Sequence, residues 1–435
     1  MTAEQRLERD LPIILDEIVM GPHPDYIDNV LSITAHGRQR PVWTFPERWF
    51  PMDLVTTRVP QTRLPWRQLG VLALIAILLA AVVAVYVGSQ PPTPLPAPFG
   101  PARNGLIAYD ADGDITVVDA RTGEVASIVP TPDDDRGPRF SRDGTHMVFE
   151  RALDARLVQL VVADVNGANV TIITPDPITL TQPILGESWE RYQFSPDGRS
   201  VVIAAVVDGI PSILIANADG SGVRRVDIGR PAYEPSFRPP DGGEIMFVGL
   251  DGSQAGIHVV DLSTGDVRTV VQTESGYDLA GPSWSPDGSQ IAYWQWGGGR
   301  SGLNPQTHLI GPDGRGERQL PRPSGAIWSA GSKWSNDGTR IAIVRGYTDD
   351  YSTARAVVAP ADGSSTGDEV QSDGPINAEC CVAFEWSPDD RSILVTPAGS
   401  GGRPLPQVLI DVAAGRTQPA PWQATSDPTW QRLAQ

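Results

Sequence analysis

Residues 284–296 read WSPDGSQIAYWQW, and after a short connection residues 307–321 read THLIGPDGRGERQLP. A Pro-Asp-Gly turn separates two apolar runs, and an Asp-Gly pair separates two more, which is the grammar of four short strands joined by tight turns. The opening phrase recurs along the chain. It reads FSRDG from Phe140, FSPDG from Phe194, FRPPDG from Phe237, WSNDG from Trp334 and WSPDD from Trp386, and a truncated copy, PTWQRLA, carries Trp430. Successive aromatic anchors stand 54, 43, 47, 50, 52 and 44 residues apart.

That period matches propeller blades and exceeds most helical repeats, and the segments between anchors lack a helix period. Each anchor supplies an apolar body to pack between neighbouring sheets, while the Asp-Gly pair meets the backbone demands of the turn. The stretch NGLIAYDADGDITVVDARTGEVASIVP at 104–130 has the second, third and fourth strands of a unit but no first, whereas the chain ends on a first strand alone. Joining the two completes a blade and removes the free edges of a ring. The expected fold is all-β, a seven-bladed β-propeller over 104–435, with six or eight blades as the alternatives.

These units resemble the TolB-type, WD-like propeller repeats of bacterial envelope proteins, through the phrases at 284–288, 194–198 and 386–389 and the hairpins at 110–113 and 217–220. The resemblance covers about residues 104–433. It implies the fold and carries no activity across, since relatives scaffold, bind or accompany separate catalytic domains. TolB itself is six-bladed and periplasmic, so seven blades and a membrane anchor are departures from it.

Ahead of the repeats, residues 69–87 read LGVLALIAILLAAVVAVYV, 19 residues without a charge. At about 1.5 Å per residue this spans a hydrocarbon core of roughly 30 Å. Arg58, Arg63 and Arg67 precede it and the next basic residue is Arg103, so the positive-inside bias places the N-terminus in the cytoplasm and the repeats outside. The expected organisation is a helical cytoplasmic segment at 1–66, one transmembrane helix at 67–88, a Pro-rich linker at 89–103 and the propeller. Within the first segment, 4–19 and 24–36 read as short amphipathic helices, followed by Trp43, Phe45, Trp49 and Phe50 interleaved with Arg38, Arg40 and Arg48. This layout is similar to that of transmembrane anti-sigma factors, without the zinc-binding His/Cys pattern common among them, and it implies a cytoplasmic protein partner for 1–66.

The formal charge is −18, of which −17 falls after residue 68, where 43 acidic face 26 basic side chains. Such a domain repels phosphate backbones, so nucleic-acid binding is not expected. His23, His36, His146, His258 and His308 show no paired-ligand spacing, and DADGD at 110–114 lacks the twelfth-position Glu of a calcium loop, so neither metal nor cofactor is expected. Neither a G-x-S-x-G elbow nor an α/β region of about 250 residues beside the repeats is read in the sequence, so no serine peptidase is expected. Cys380 and Cys381 are adjacent, and a strained vicinal disulfide and two reduced thiols are both open.

Function is expected on the connections from each outer strand to the next inner strand, because loops on a rigid scaffold are where binding residues gather. They carry Asp133, Asp134, Asp135, Trp189, Glu190, Tyr233, Glu234, Tyr277, Asp278 and Trp328 toward one rim. Aromatics set among carboxylates suit a cationic peptide, a protein loop or a carbohydrate. The reading is a membrane-anchored, non-catalytic binding propeller. The alternatives are a transmembrane regulator with the propeller as sensor, and an enzyme whose site lies in the propeller channel.

Overall fold

In the computed structural model each repeated phrase folds as a strand that ends on the aromatic and then turns back. The structure describes residues 74–77, 79, 99–129, 133–181, 191–252, 254–274, 277–297, 304–348, 351–370, 376, 381–398, 405–422, 424 and 427–434. In five of the turns the serine hydroxyl donates to the aspartate two residues on, at 2.6–2.7 Å, from Ser141, Ser195, Ser285, Ser335 and Ser387. The same hydroxyl accepts the N–H of the residue five beyond it, as from Gln290 to Ser285 at 2.9 Å. The aspartate accepts the N–H of the residue two beyond it, as Asp287 does from Ser289 at 3.0 Å. A short polar side chain thus replaces the backbone bonds the tight turn forgoes. FRPPDG is the exception. Arg238 stands in the serine's place before a cis Pro239-Pro240 bond, and its guanidinium reaches Glu244 at 2.7 Å and the Gly288 carbonyl at 3.0 Å.

Among the described residues seven antiparallel meanders follow one another. Blade 1 comprises Arg103–Ala111, Asp114–Asp119 and Val125–Val129, with the chain's last strand, Thr429–Leu433, as its innermost member. Ile107 lies opposite Trp430 in that pairing, so the two ends of the repeat region close one sheet. The innermost strands of blades 2 to 7 are Asp134–Phe140, Tyr192–Phe194, Ala232–Phe237, Tyr277–Trp284, Trp328–Trp334 and Cys381–Trp386. Blades 2 and 3 form one continuous sheet, because Ile178–Leu180 pairs with both Leu157–Asp164 and Ser200–Val207. The hairpin at 110–114 turns through Asp112 and Gly113, both at positive φ (55° and 87°), which is the two-residue geometry that suits the strand twist.

Among the described residues seven apolar cores sit between consecutive blades, and each takes residues from both. Met147 and Phe149 meet Ala108 and Ile115 between blades 1 and 2, and Leu160 meets Ile203 between 2 and 3. Phe247 meets Ile213 between 3 and 4, and Ile257 meets Tyr293 between 4 and 5. Ile343 meets Leu309 between 5 and 6, Trp328 meets Phe384 between 6 and 7, and Leu394 meets Tyr109 between 7 and 1. Burying an aliphatic or aromatic side chain contributes about 1.5–3 kcal/mol, so the ring is held by seams between blades as much as by pairing within them.

The anchors lie in these seams. Phe194, Phe237, Trp284, Trp334, Trp386 and Trp430 are buried, and Phe140 is partly so. The tryptophans also stitch. Trp284, Trp334 and Trp386 donate their indole N–H to the carbonyls of Ser236, Ser283 and Lys333, each the residue just before the preceding blade's anchor.

The propeller belongs to a compact unit spanning 92–435, separate from one spanning 1–91. Within the expected membrane segment residues 74–77 and 79 are described, as helix, with Leu74, Ile75, Ile77 and Leu79 exposed. Among the described residues no helix is long and apolar enough to cross a membrane. The expectations for 1–66, and the pairing of Cys380 with Cys381, lie outside the described residues. The linker differs from a free spacer at its end: Arg103 already opens a strand, and the Ala102 N–H donates to the Pro388 carbonyl of blade 7 at 2.7 Å.

Candidate functional site

The inner strands enclose a channel of about 340 Å³, lined by all seven blades. Its wall has a repeated irregularity. The pairing of the inner strand with its neighbour slips between Arg136 and Arg139, Tyr233 and Ser236, Ala280 and Ser283, and Ala330 and Lys333. Each slip is a bulge two to three residues before the anchor, of the kind that re-aims side chains beside sites. Its first residue is left-handed in every case: Gly137 (φ 61°), Glu234 (φ 50°), Gly281 (φ 56°) and Gly331 (φ 84°). Three blades use glycine there, and in two of them a Cβ would also collide, with the Tyr192 hydroxyl at Gly137 and the Trp294 indole nitrogen at Gly281, both at 2.7 Å.

Blade 4 places Glu234 at this position, in a conformation that costs a side-chain-bearing residue about 1 kcal/mol or more. Its carboxylate lies along the channel wall and accepts the N–H of Gly281, the next blade's bulge residue, at 3.2 Å. The residue before each anchor adds further polar groups to the lining. Arg139 donates to the carbonyls of Pro138 and Asp427, at 3.2 and 2.9 Å, and Lys333 pairs with Glu385 across blades 6 and 7 at 3.1 Å.

Beside Gly137 lies a buried charged cluster. Glu150 receives Arg191 Nη2 at 2.5 Å, and the Tyr192 hydroxyl donates to the Gly137 carbonyl. Burial raises the Glu150 carboxyl above its ordinary range, with Arg191 and the Tyr192 hydroxyl pulling the other way. Burial, then the Glu150 charge, raises the Tyr192 phenol.

The rim residues expected from sequence fall into three groups. Glu234 lines the channel, and Tyr233 is partly buried against the core between blades 4 and 5. Asp278 is partly buried and accepts the Leu279 N–H at 2.9 Å, and Tyr277 opens the inner strand of blade 5. The acidic run and Trp328 are otherwise engaged. Asp135 is fully buried and takes a two-point contact from Arg151 at 2.9 and 3.0 Å, Asp133 lies 3.5 Å from the same guanidinium, and Asp134 pairs with Arg136. The Arg136 contact lowers the Asp134 carboxyl. Trp328 is 4% exposed and donates to the Thr348 carbonyl at 2.8 Å, so its ring belongs to the core and not to an open surface. Trp189 and Glu190 lie outside the described residues.

Sequence reading missed Arg139, Lys333 and Glu385, whose signal is their fixed offset of one before the anchor. The reading that G-x-S-x-G is absent is corrected by GSSTG at 363–367, which has the letter spacing of a serine-hydrolase elbow. That segment joins Arg355–Pro360 to Asp368–Glu369 within blade 6, and Ser365 Oγ accepts the Gly367 N–H at 3.3 Å, so a strand-to-strand connection stands where an elbow needs a strand-to-helix turn. Among the described histidines none lines the channel.

Repeated four-stranded meanders, seam-buried anchors and a common channel define a β-propeller domain protein. The TolB beta propeller domain matches residues 109–336, more than half of the sequence, and the chain belongs to that family. Similar solved structures include an oligogalacturonate lyase in complex with manganese, at 16% identity and TM-score 0.52, covering 73% of this chain and 85% of that one. An oligogalacturonate lyase from Vibrio parahaemolyticus is similar at 14% identity and TM-score 0.52, covering 73% and 86%. TolB from Acinetobacter baumannii is similar at 18% identity and TM-score 0.45, covering 75% and 81%. At these identities the likeness is one of fold.

Proposed function

We propose that this chain is a single-pass membrane protein whose extracytoplasmic propeller is a non-catalytic binding module, taking a protein, peptide or carbohydrate ligand at the channel mouth on the outer-to-inner rim. The observation that carries the reading is Glu234. A carboxylate is kept on the channel wall in a left-handed conformation where the other three bulges use glycine, and strain of this kind is retained where a side chain is needed. Arg139, Lys333 and Glu385 supply further polar contacts around it. The non-catalytic part is supported by the engagement of candidate acids and bases in structural bonds: His258 with Thr269, His308 with Glu317, and Asp135 with Arg151. The membrane part is supported by the 19-residue uncharged run and the arginines before it.

The test uses the full chain in detergent micelles on peptide and oligosaccharide arrays, followed by calorimetry on any hit. Saturable binding that Glu234→Gly weakens at least tenfold, with no change in the bound compound, is expected. Turnover of a bound peptide or sugar would overturn the non-catalytic reading, and binding indifferent to Glu234 would move the site elsewhere.

A further inference from the structure

The end of the channel opposite the rim is ringed by the third residue of every phrase. In four blades this residue is proline: Pro196, Pro239, Pro286 and Pro388. In the other three it is Arg142, Asn336 or Arg432, each able to donate a side-chain hydrogen bond. These exceptions all fall on the arc of blades 6, 7, 1 and 2, and the same arc carries residues 99–102 of the linker.

The contacts are specific. The Arg142 guanidinium stands over the Phe99 ring, 5.2 Å from its centroid, and Phe99 itself lines the channel. Arg432, only 5% exposed, donates to the Gly100 carbonyl, where the chain bends through φ 88°. Ala102 donates to the Pro388 carbonyl. Arg432 is held in turn by the Asn336 side-chain oxygen at 2.6 Å, and Asn336 donates to Asp390 at 2.8 Å. Asp390 occupies the position of the turn glycine in the other copies and keeps that residue's positive φ, 59°. The spellings WSNDG and WSPDD therefore meet each other, and together they fix the arginine that grips the linker.

We propose that this mouth is a built peptide site for an aromatic-Gly-Pro segment bent at its glycine, and that its resident ligand is the chain's own Phe99-Gly100-Pro101. The aromatic is recognised by a cation over its face, and the following carbonyl by a buried guanidinium. Held there, the linker plugs the channel floor, so the channel is a cup that fills only from the opposite rim. The inference is independent of what binds at that rim.

The test compares full-length wild type with Phe99→Ala in micelles, using amide exchange at Ala102 and the anisotropy of a labelled peptide, PLPAPFGPA, copied from residues 94–102. Exchange at Ala102 is expected to rise at least tenfold in the variant, with its circular dichroism unchanged. The peptide is expected to bind the variant at least tenfold more tightly than wild type, and a peptide with alanine for its phenylalanine is expected not to bind. Arg142→Ala, which leaves the linker intact, should raise Ala102 exchange severalfold, and this second variant keeps the test open should Phe99→Ala misfold. Unchanged exchange in both variants, equal peptide binding to wild type and variant, or no binding to either would overturn the proposal.

Discussion

At the scale of single residues, two positions carry free energy that their side chains alone do not announce. Glu234 combines a left-handed backbone with a hydrogen bond to Gly281. Alanine there loses the bond and keeps the strain, whereas glycine loses both. Glu234→Gly is therefore expected to be about 1 kcal/mol more stable than Glu234→Ala in urea unfolding, and equal stabilities would refute the strain. His258 is fully buried in blade 4, stacked on Phe247 at 5.4 Å, where Gly249 and Gly256 leave it room. Burial first, and then the Arg230 charge, push its pKa from 6.5 down to about 4. The unfolded chain then binds the proton more readily than the folded one, so this contribution is present above about pH 6.5 and is lost as pH falls toward 4. The stability gap between wild type and His258→Gln should shrink by about 2 kcal/mol between about pH 7 and pH 5, and a pH-independent gap would exclude this titration. Sequence put Glu234 among the rim candidates because a carboxylate beside an aromatic is visible in letters. Its φ was not legible, because only the neighbouring glycines at the same offset disclose it.

At the scale of the element, the recurring unit is an inner strand plus its turn, and the turn was legible because Ser, Asp and Gly each satisfy a backbone group that no other residue supplies so locally. The bulge was not: GP at 137–138 and 281–282 reads as loop chemistry, yet both pairs lie inside strands. Nor did the letters show that an anchor tryptophan bonds to the previous blade, which makes Trp and Phe unequal at this position. Trp334 donates to Ser283 at 3.2 Å, whereas the buried Trp430 indole nitrogen has no acceptor. Trp334→Phe should accordingly cost about 1 kcal/mol more than Trp430→Phe, since only the first forfeits a made bond while both leave similar space. Guanidinium unfolding of the two variants checks this, and a larger loss at Trp430 would mean that the seam between blades 7 and 1 depends on the indole's shape alone.

At the scale of the whole molecule, closure of the ring was legible because blade 1 lacks a first strand in sequence and the chain ends on one. The character of the rim was not. Asp133, Asp134 and Asp135 read as an open acidic patch, but Arg136 and Arg151, equally plain in the sequence, return to neutralise them only once the meander has folded. Closure itself rests on more than the ladder from Thr429 to Leu433. Gln431 donates to the Gly144 carbonyl of blade 2 at 2.8 Å and accepts the Leu106 N–H at 3.1 Å, and Arg139 of blade 2 reaches the Asp427 carbonyl. The last strand thus ties blade 1 to blade 2 and, through Trp430 and Leu394, to blade 7. A chain ending at Pro428 loses the ladder, both Gln431 bonds and the Trp430 packing, and leaves Arg103–Ala111 as an unpaired edge beside an open seam, a template for pairing with another copy. It is expected to sediment as oligomers in detergent where the full chain is monodisperse, and to unfold in two steps, the exposed blades 1 and 7 before the rest. A truncated chain that stays monodisperse and unfolds in one transition at the full chain's midpoint would show that the seams hold the ring without its closing strand.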